Sequence, residues 1–265
     1  MAKDMTSGKP LKLIWNFTIP LLIGNLFQQL YNMADTFIVG RTIGVQALAA
    51  VGSTGSIVFL IIGFATGLTA GLAIPLAQRF GAKDYKGVKH SFYVSILISI
   101  AVAIVLTALS MIFCRQILEI MQTPSEIIDG AYDYLIVIFG GIFSSMAYNL
   151  LSNIFRSIGD AKTPLYFLVM ACVMNIILDI VFIAVFGMGV EGAGYATVLS
   201  QIFSAVACVV YIWNKIPVLR LTKEDLVATK RNIREHCRIS FPMAFQASII
   251  AIGTIMVQIA LNQLG

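Results

Sequence analysis

Apolar residues run through this chain in seven long blocks, at about 11–39, 46–78, 91–114, 128–155, 163–187, 190–214 and 239–264. Each block is long enough for a helix to cross the hydrocarbon core of a bilayer, which is ~30 Å thick. The sequences between them are mostly short and rich in turn formers. SIGDAKTP (157–164) joins the fourth and fifth blocks, and FGMGVEGAG (186–194) joins the fifth and sixth. Connections this short place neighbouring helices antiparallel. The longest polar stretch is 215–238. In it Thr222 to Asp225 (TKED) reads as a helix capping box. The basic residues that follow predict a surface helix leading into the seventh span.

Composition and charge sharpen this picture. The chain is 58% apolar and only 12% charged, about half the charge of a soluble domain. The net charge of +5 is not a nucleic-acid signature, because the basic residues lie between the spans and alternate from loop to loop. Sixteen of the eighteen Lys and Arg fall on one side if the chain crosses the membrane at each block. Loops rich in Lys and Arg face the cytoplasm. The expected topology is therefore a multi-pass protein of the cell (cytoplasmic or inner) membrane with its N-terminus inside. No cleavable signal peptide is evident, since the first block is too long for one and no small-residue cleavage site follows it. The four cysteines have neither metal nor redox spacing and read as apolar filler.

The polar residues inside the spans carry the candidate chemistry. At about 100° per residue, Asn25, Gln28, Asn32 and Asp35 fall within a stripe about 80° wide on the first span. Asn175 and Asp179 are four apart on the fifth, and so share a face. The sixth offers Thr197, Gln201 and Ser204. The fourth offers Ser145, Asn149, Ser152 and Asn153. Polar faces within a bilayer turn toward protein or water, so four such stripes predict a bundle around a wet cavity. Gln28, Asn32, Asn149, Asn153 and Gln201 are its expected lining. Asp35, Asp179 and Thr197 sit roughly 8, 12 and 10 Å below the outer surface by residue count, so they can meet at one level. Two carboxylates, an amide and a hydroxyl form a hard oxygen site suited to Na⁺ or to a proton. Pro20 is expected to bend the first span.

Several stretches now resemble one transporter family. IPLLIGNLFQQLYNMADTFIVGRTIGVQALAAVG (19–52), LAQRFGAKDYKGV (76–88), FRSIGDAKTP (155–164) and VEGAGYATVLSQ (190–201) are similar to segments of the multidrug and toxic compound extrusion (MATE) transporters, in family order. The resemblance implies an all-α polytopic membrane protein, not an enzyme, built as two six-helix lobes related by pseudo-symmetry. It implies export of amphipathic, often cationic drugs or toxic compounds by alternating access, driven by entry of Na⁺ or H⁺, with no further cofactor. The family's cation site falls on Asp35, Asn175, Asp179 and Thr197, and its bending proline on Pro20.

By this reading residues 1–214 form the N-lobe of six helices, 215–238 a cytoplasmic inter-lobe linker, and 239–265 a seventh helix that opens the second lobe. The seventh span also echoes the first, with Pro242 over Pro20, Arg234 over Lys12 and Ser240 over Thr18. The chain is thus expected to be a fragment of a twelve-helix protein, with the C-terminal lobe as its intramolecular partner. The seventh span has no acidic residue, only Gln246, Thr254, Gln258 and Asn262 among its polar groups, which argues against a second cation site there. Three other readings compete. A lipid-linked oligosaccharide flippase of the same superfamily needs a cationic cavity, whereas these stripes carry Asp and Asn. An intramembrane aspartyl protease needs two span aspartates within reach of one proton, and here Asp179 follows IIL rather than the GxG of that family. A structural or partner-binding membrane segment needs no such site.

Overall fold

The long apolar blocks become long helices because a backbone in lipid must satisfy its own hydrogen bonds. The structure is a computed structural model that describes residues 9–264. Its helices are α1 (Pro10–Thr42), α2 (Val45–Gly81), α3 (Tyr85–Ile112), α4 (Cys114–Ile120), α5 (Ile128–Gly140), α6 (Ile142–Ser157), α7 (Lys162–Asp179), α8 (Val190–Lys215) and α9 (Lys230–Leu264). There are no strands among the described residues. Among the described residues six helices are long and apolar enough to cross a membrane, and the bent pair α5–α6 gives a seventh span if it is taken as one crossing. The protein is an all-α, multi-pass membrane protein.

Boundaries differ from the sequence reading in four places, each with a local cause. The fourth span is not one helix. It breaks at Gly141 and bends by 49°. A Cβ at Gly141 would lie 3.0 Å or less from the Val198 side chain of α8, so a glycine here lets the two helices touch where the bend occurs. The loop before that span holds the extra short helix α4. The fifth span changes from α-helix to a π-helical turn over Ile180–Val185, directly after Asp179. Finally, the basic residues of the linker do not form a separate surface helix. Lys230, Arg231, Arg234 and Arg238 instead extend the seventh span, which starts at Lys230 rather than at 239. The capping box at Thr222 and Asp225 does form, but on a single 3₁₀ turn, Lys223–Asp225.

Helix α2 is the hub. It packs against α1, α3, α5, α6 and, along much of its length, α9. The α2–α9 contact rests on GLTAG (67–71), a small-x-x-x-small stripe that lets two backbones close up. A Cβ on Gly67 would lie 2.6 Å from the Met243 carbonyl oxygen, and one on Gly71 would lie 2.5 Å from Ser240 Cα. At the end of α2 nearest the linker, Arg79 ties three helices together. Its guanidinium donates to Ser91 Oγ (2.6 Å) and the Gly87 carbonyl (3.2 Å) on α3, and to Glu235 Oε2 (2.8 Å) on α9. The linker is held by Asp225, which accepts from Thr222 Oγ1 (2.6 Å), Thr222 N (2.8 Å) and Lys89 Nζ (3.0 Å).

Two predictions follow from this packing. Gly71→Val should destabilise the protein by about 1–3 kcal/mol through overpacking. Gly55→Ala, where nothing lies within 4 Å, should leave it unchanged or slightly firmer. Thermal unfolding in detergent compares the two. Hydrogen bonding by Thr222, then Lys89, holds the Asp225 carboxyl down at about 2, below the usual value of about 3.9. A depressed carboxyl stabilises above its unfolded value and loses that contribution as pH falls from about 4 toward about 2. Pepsin should therefore cut the linker faster at pH 2 than at pH 4. In Asp225→Ala the two rates should differ only by the intrinsic pH profile of pepsin.

Candidate functional site

The polar stripe on α1 straddles the edge of the helix's buried face. Gly24, Asp35 and Val39 point into the bundle, whereas Asn25, Gln28 and Asn32 are exposed. Only Asp35 of the four therefore enters the protein interior here. Asn32 instead lines an open cleft along α1 and the start of α2, with Gln29, Thr36 and Arg41. The expected lining residues of α6 also take structural partners. Asn149 Nδ2 donates to the Ser145 carbonyl at 2.9 Å. Asn153 Nδ2 donates to Thr69 Oγ1 on α2 at 3.3 Å and its Oδ1 accepts from Arg156 at 3.4 Å. Gln201 is half-buried one turn along α8 from Thr197. Pro20 is buried within α1, which continues as one helix on both sides of it.

Asp35, Asn175, Asp179 and Thr197 do come together. Asn175 and Asp179 are fully buried on α7, and Asp35 is 8% exposed on α1. Asp35 and Asp179 each follow by one turn a residue, Tyr31 or Asn175, whose side chain meets Thr197, so both carboxyl groups are carried into the same buried region where α1 packs on α7. Asn175 Nδ2 donates to Thr197 Oγ1 on α8 at 3.4 Å. Two like-charged groups in one low-dielectric region repel, and a proton or a cation bound there relieves that repulsion.

Four oxygen atoms define the site's unmet demand. Asp35 Oδ1, Asn175 Oδ1, Asp179 Oδ1 and Asp179 Oδ2 are buried without a donor. A buried acceptor left unpaired is costly, and a buried carboxylate more so. All four belong to the site, from two adjacent helices. Among the described residues no group of three or more His, Cys, Asp and Glu could hold a metal. The donor set here is instead two carboxylates and a neutral amide oxygen, a hard oxygen set of the kind that suits a proton or an alkali cation.

Tyr31 completes the arrangement, and the sequence reading passed over it. Its hydroxyl donates to Thr197 Oγ1 at 3.0 Å. The signal was present, because Tyr31 precedes Asp35 by four residues and so shares its face. With Tyr31 and Asn175 both donating to it, the Thr197 oxygen has its two lone pairs engaged. It fastens α1 and α7 to α8 and fixes the Asn175 amide so that Nδ2 faces Thr197. The π-helical turn after Asp179 had no sequence signal, although such turns recur at functional positions. Helix α1 is otherwise lightly held. A Cβ on Gly24 would touch Leu165 and Leu168 of α7, while Leu22, Leu26, Met33 and Phe37 remain exposed.

Comparison with known proteins gives a consistent answer. The sequence profile of the MatE family matches residues 20–181. The chain is 30% identical over its whole length to the probable multidrug resistance protein YpnP of Bacillus subtilis, covering 59% of that protein. It is 27% identical to the probable multidrug resistance protein NorM of Thermotoga maritima, over 90% of this chain and 52% of that one. The chain thus spans somewhat more than half the length of these relatives. Its fold superposes with a TM-score of 0.86 on a solved outward-facing multidrug resistance MATE transporter of the MOP superfamily, at 29% identity, covering 93% of this chain and 55% of the other. The helices, their order and the sequence they carry agree with one another, and the chain belongs to the MatE family of transporters.

Proposed function

We propose that the chain contributes the ion-coupling half of an antiporter that exports amphipathic, often cationic compounds across the cytoplasmic membrane, with its N-terminus inside. The observation that carries this reading is the set of four buried, donorless oxygen atoms on Asp35, Asn175 and Asp179. Drug resistance in the names of its relatives supports the export part of it. Na⁺ or a proton satisfies those oxygens, and Asp35, Asp179 and Asn175 are the residues that hold it. Thr197 and Tyr31 orient the amide and keep α1 against α7 and α8.

Ion binding and drug binding then compete through α1. With the carboxylates neutralised, α1 packs on α7. With them charged and empty, their repulsion weakens that packing and favours a state in which a cationic substrate replaces the ion. A ligand shifts such an equilibrium only by its differential affinity for the two states. Pro20 is the point at which α1 takes up the change, since its ring removes one backbone hydrogen bond from the helix. Alternating access is the transport cycle that this exchange serves.

The other readings gain less. A diphosphate-carrying lipid would meet two aspartates, which disfavours the flippase. The relatives named above are multidrug resistance proteins, which lends no support to an aspartyl protease.

Asp35→Asn or Asp179→Asn, made in the whole protein and expressed in a drug-sensitive host, should reduce ethidium efflux at least tenfold while leaving the amount in the membrane unchanged. Drug resistance equal to wild type in both variants overturns the assignment. Repeating wild-type efflux in Na⁺-free buffer with an imposed pH gradient identifies the coupling ion. Thr197 separates an orienting role from direct ligation. Thr197→Ser keeps the hydroxyl and should retain efflux within about twofold. Thr197→Val removes an acceptor for two buried donors, about 1–3 kcal/mol, and should lower both the melting temperature and efflux.

A further inference from the structure

Helices α3 and α8 both pack on α6 and leave a groove between them whose floor is α6. The groove encloses about 300 Å³, and its walls include Phe92 and Ser99 of α3, Met146 and Leu150 of α6, and Trp213 of α8. It opens on the outside of the bundle, where Ile100, Phe143, Val209 and Trp213 are exposed. It is therefore separate from the carboxylate site between α1 and α7. The cytoplasmic end is closed by the linker, which folds over it and contributes Leu219 and Leu221. Lys89 of α3, paired with Asp225, pins the linker in place.

The linker also sets charge at the mouth. Arg220 lies between the two leucines that close the groove. Its guanidinium turns back to donate to the Asn214 carbonyl at 3.2 Å, beside Trp213. Lys215 is the next residue on α8. Among the described residues neither Arg220 nor Lys215 has a carboxylate partner. One N–H of Arg220 is used on the carbonyl, and the others remain free for an anion. An apolar slot in the bilayer with paired cations at its cytoplasmic rim matches one kind of molecule in shape and charge.

We propose that this groove is a binding site for an anionic phospholipid of the cytoplasmic leaflet. One acyl chain lies along α6 between α3 and α8, and the headgroup phosphate rests on Arg220 and Lys215. The indole of Trp213 stands at the level where Trp is favoured, the boundary between hydrocarbon and headgroup. Near a membrane surface each basic residue contributes attraction to anionic lipid equivalent to about fivefold in affinity. The linker is thereby held to the bundle from two directions, by Lys89 from within and by lipid from the rim. This inference rests on the membrane topology and not on the transport reading.

The chain has two tryptophans, Trp15 and Trp213, so Trp15→Phe leaves a reporter at the groove. The Trp15→Phe form of the 265-residue chain, reconstituted in phosphatidylcholine vesicles, is titrated with brominated phosphatidylglycerol or, separately, with brominated phosphatidylcholine, and Trp213 fluorescence is read. The anionic lipid should quench at several-fold lower mole fraction. Arg220→Gln with Lys215→Gln should reduce that preference to near unity, and Ala147→Leu, which fills the floor, should weaken quenching by the anionic lipid with both charges in place. Equal quenching by the two lipids in the Trp15→Phe protein overturns the proposal, as does a preference that survives the double substitution. Should a variant fail to reconstitute, the Trp15→Phe protein decides the question alone, because a preference created by Arg220 and Lys215 must fall when salt is raised and one that does not fall overturns it.

Discussion

Two carboxyl groups buried in one region of a membrane protein are the constraint on which this structure turns. Asp35 Oδ1 and both Asp179 oxygens have no donor, yet three helices are arranged to bury these side chains. Hydrogen bonds from Tyr31 and Asn175 to one threonine oxygen on α8 supply the geometry, and close packing of α7 on α8 supplies the burial. A buried acceptor without a donor lowers stability, so these acids do not serve the packing of the bundle.

The rest of the bundle is built to be firm where the site is not. Helix α2 is wedged among five neighbours, and its contact with α9 is close enough that only glycine fits at two positions one turn apart. At the end of α2 nearest the linker, Arg79 adds two hydrogen bonds to α3 and two to α9. Helix α1 has nothing comparable. It packs on α7 and more lightly on α2, and it reaches α8 through Tyr31. Helices α1 and α2 thus differ in how many neighbours they engage, since α1 leaves most of its surface outside the bundle.

Much of this was legible in the sequence because lipid is a demanding solvent. Spans must be long and apolar, so seven blocks gave seven crossings once the bent pair is taken as one span. Helical spacing and depth brought Asp35, Asn175, Asp179 and Thr197 to one place without any contact being known. What escaped has no one-dimensional signature. The break at Gly141 depends on Val198, which lies 57 residues later. The π turn after Asp179 has an ordinary apolar sequence. Asn153 looked like cavity lining, but its amide is engaged by Thr69 and Arg156, and spacing within one helix cannot reveal which neighbour claims a polar group. The stripe on α1 misled for a related reason, since a face 80° wide can straddle the boundary between inside and outside.

The bend between α5 and α6 has a mechanical consequence. One half, α5, packs on α2 and α8, and the other, α6, forms the floor of the groove beside the linker. A single crossing therefore touches the hub and the groove with segments set at different angles. At the joint, the Val198 side chain of α8 occupies the space that a Cβ on Gly141 would need. A larger side chain at 141 would therefore press on the crossing angle and shift both packings at once.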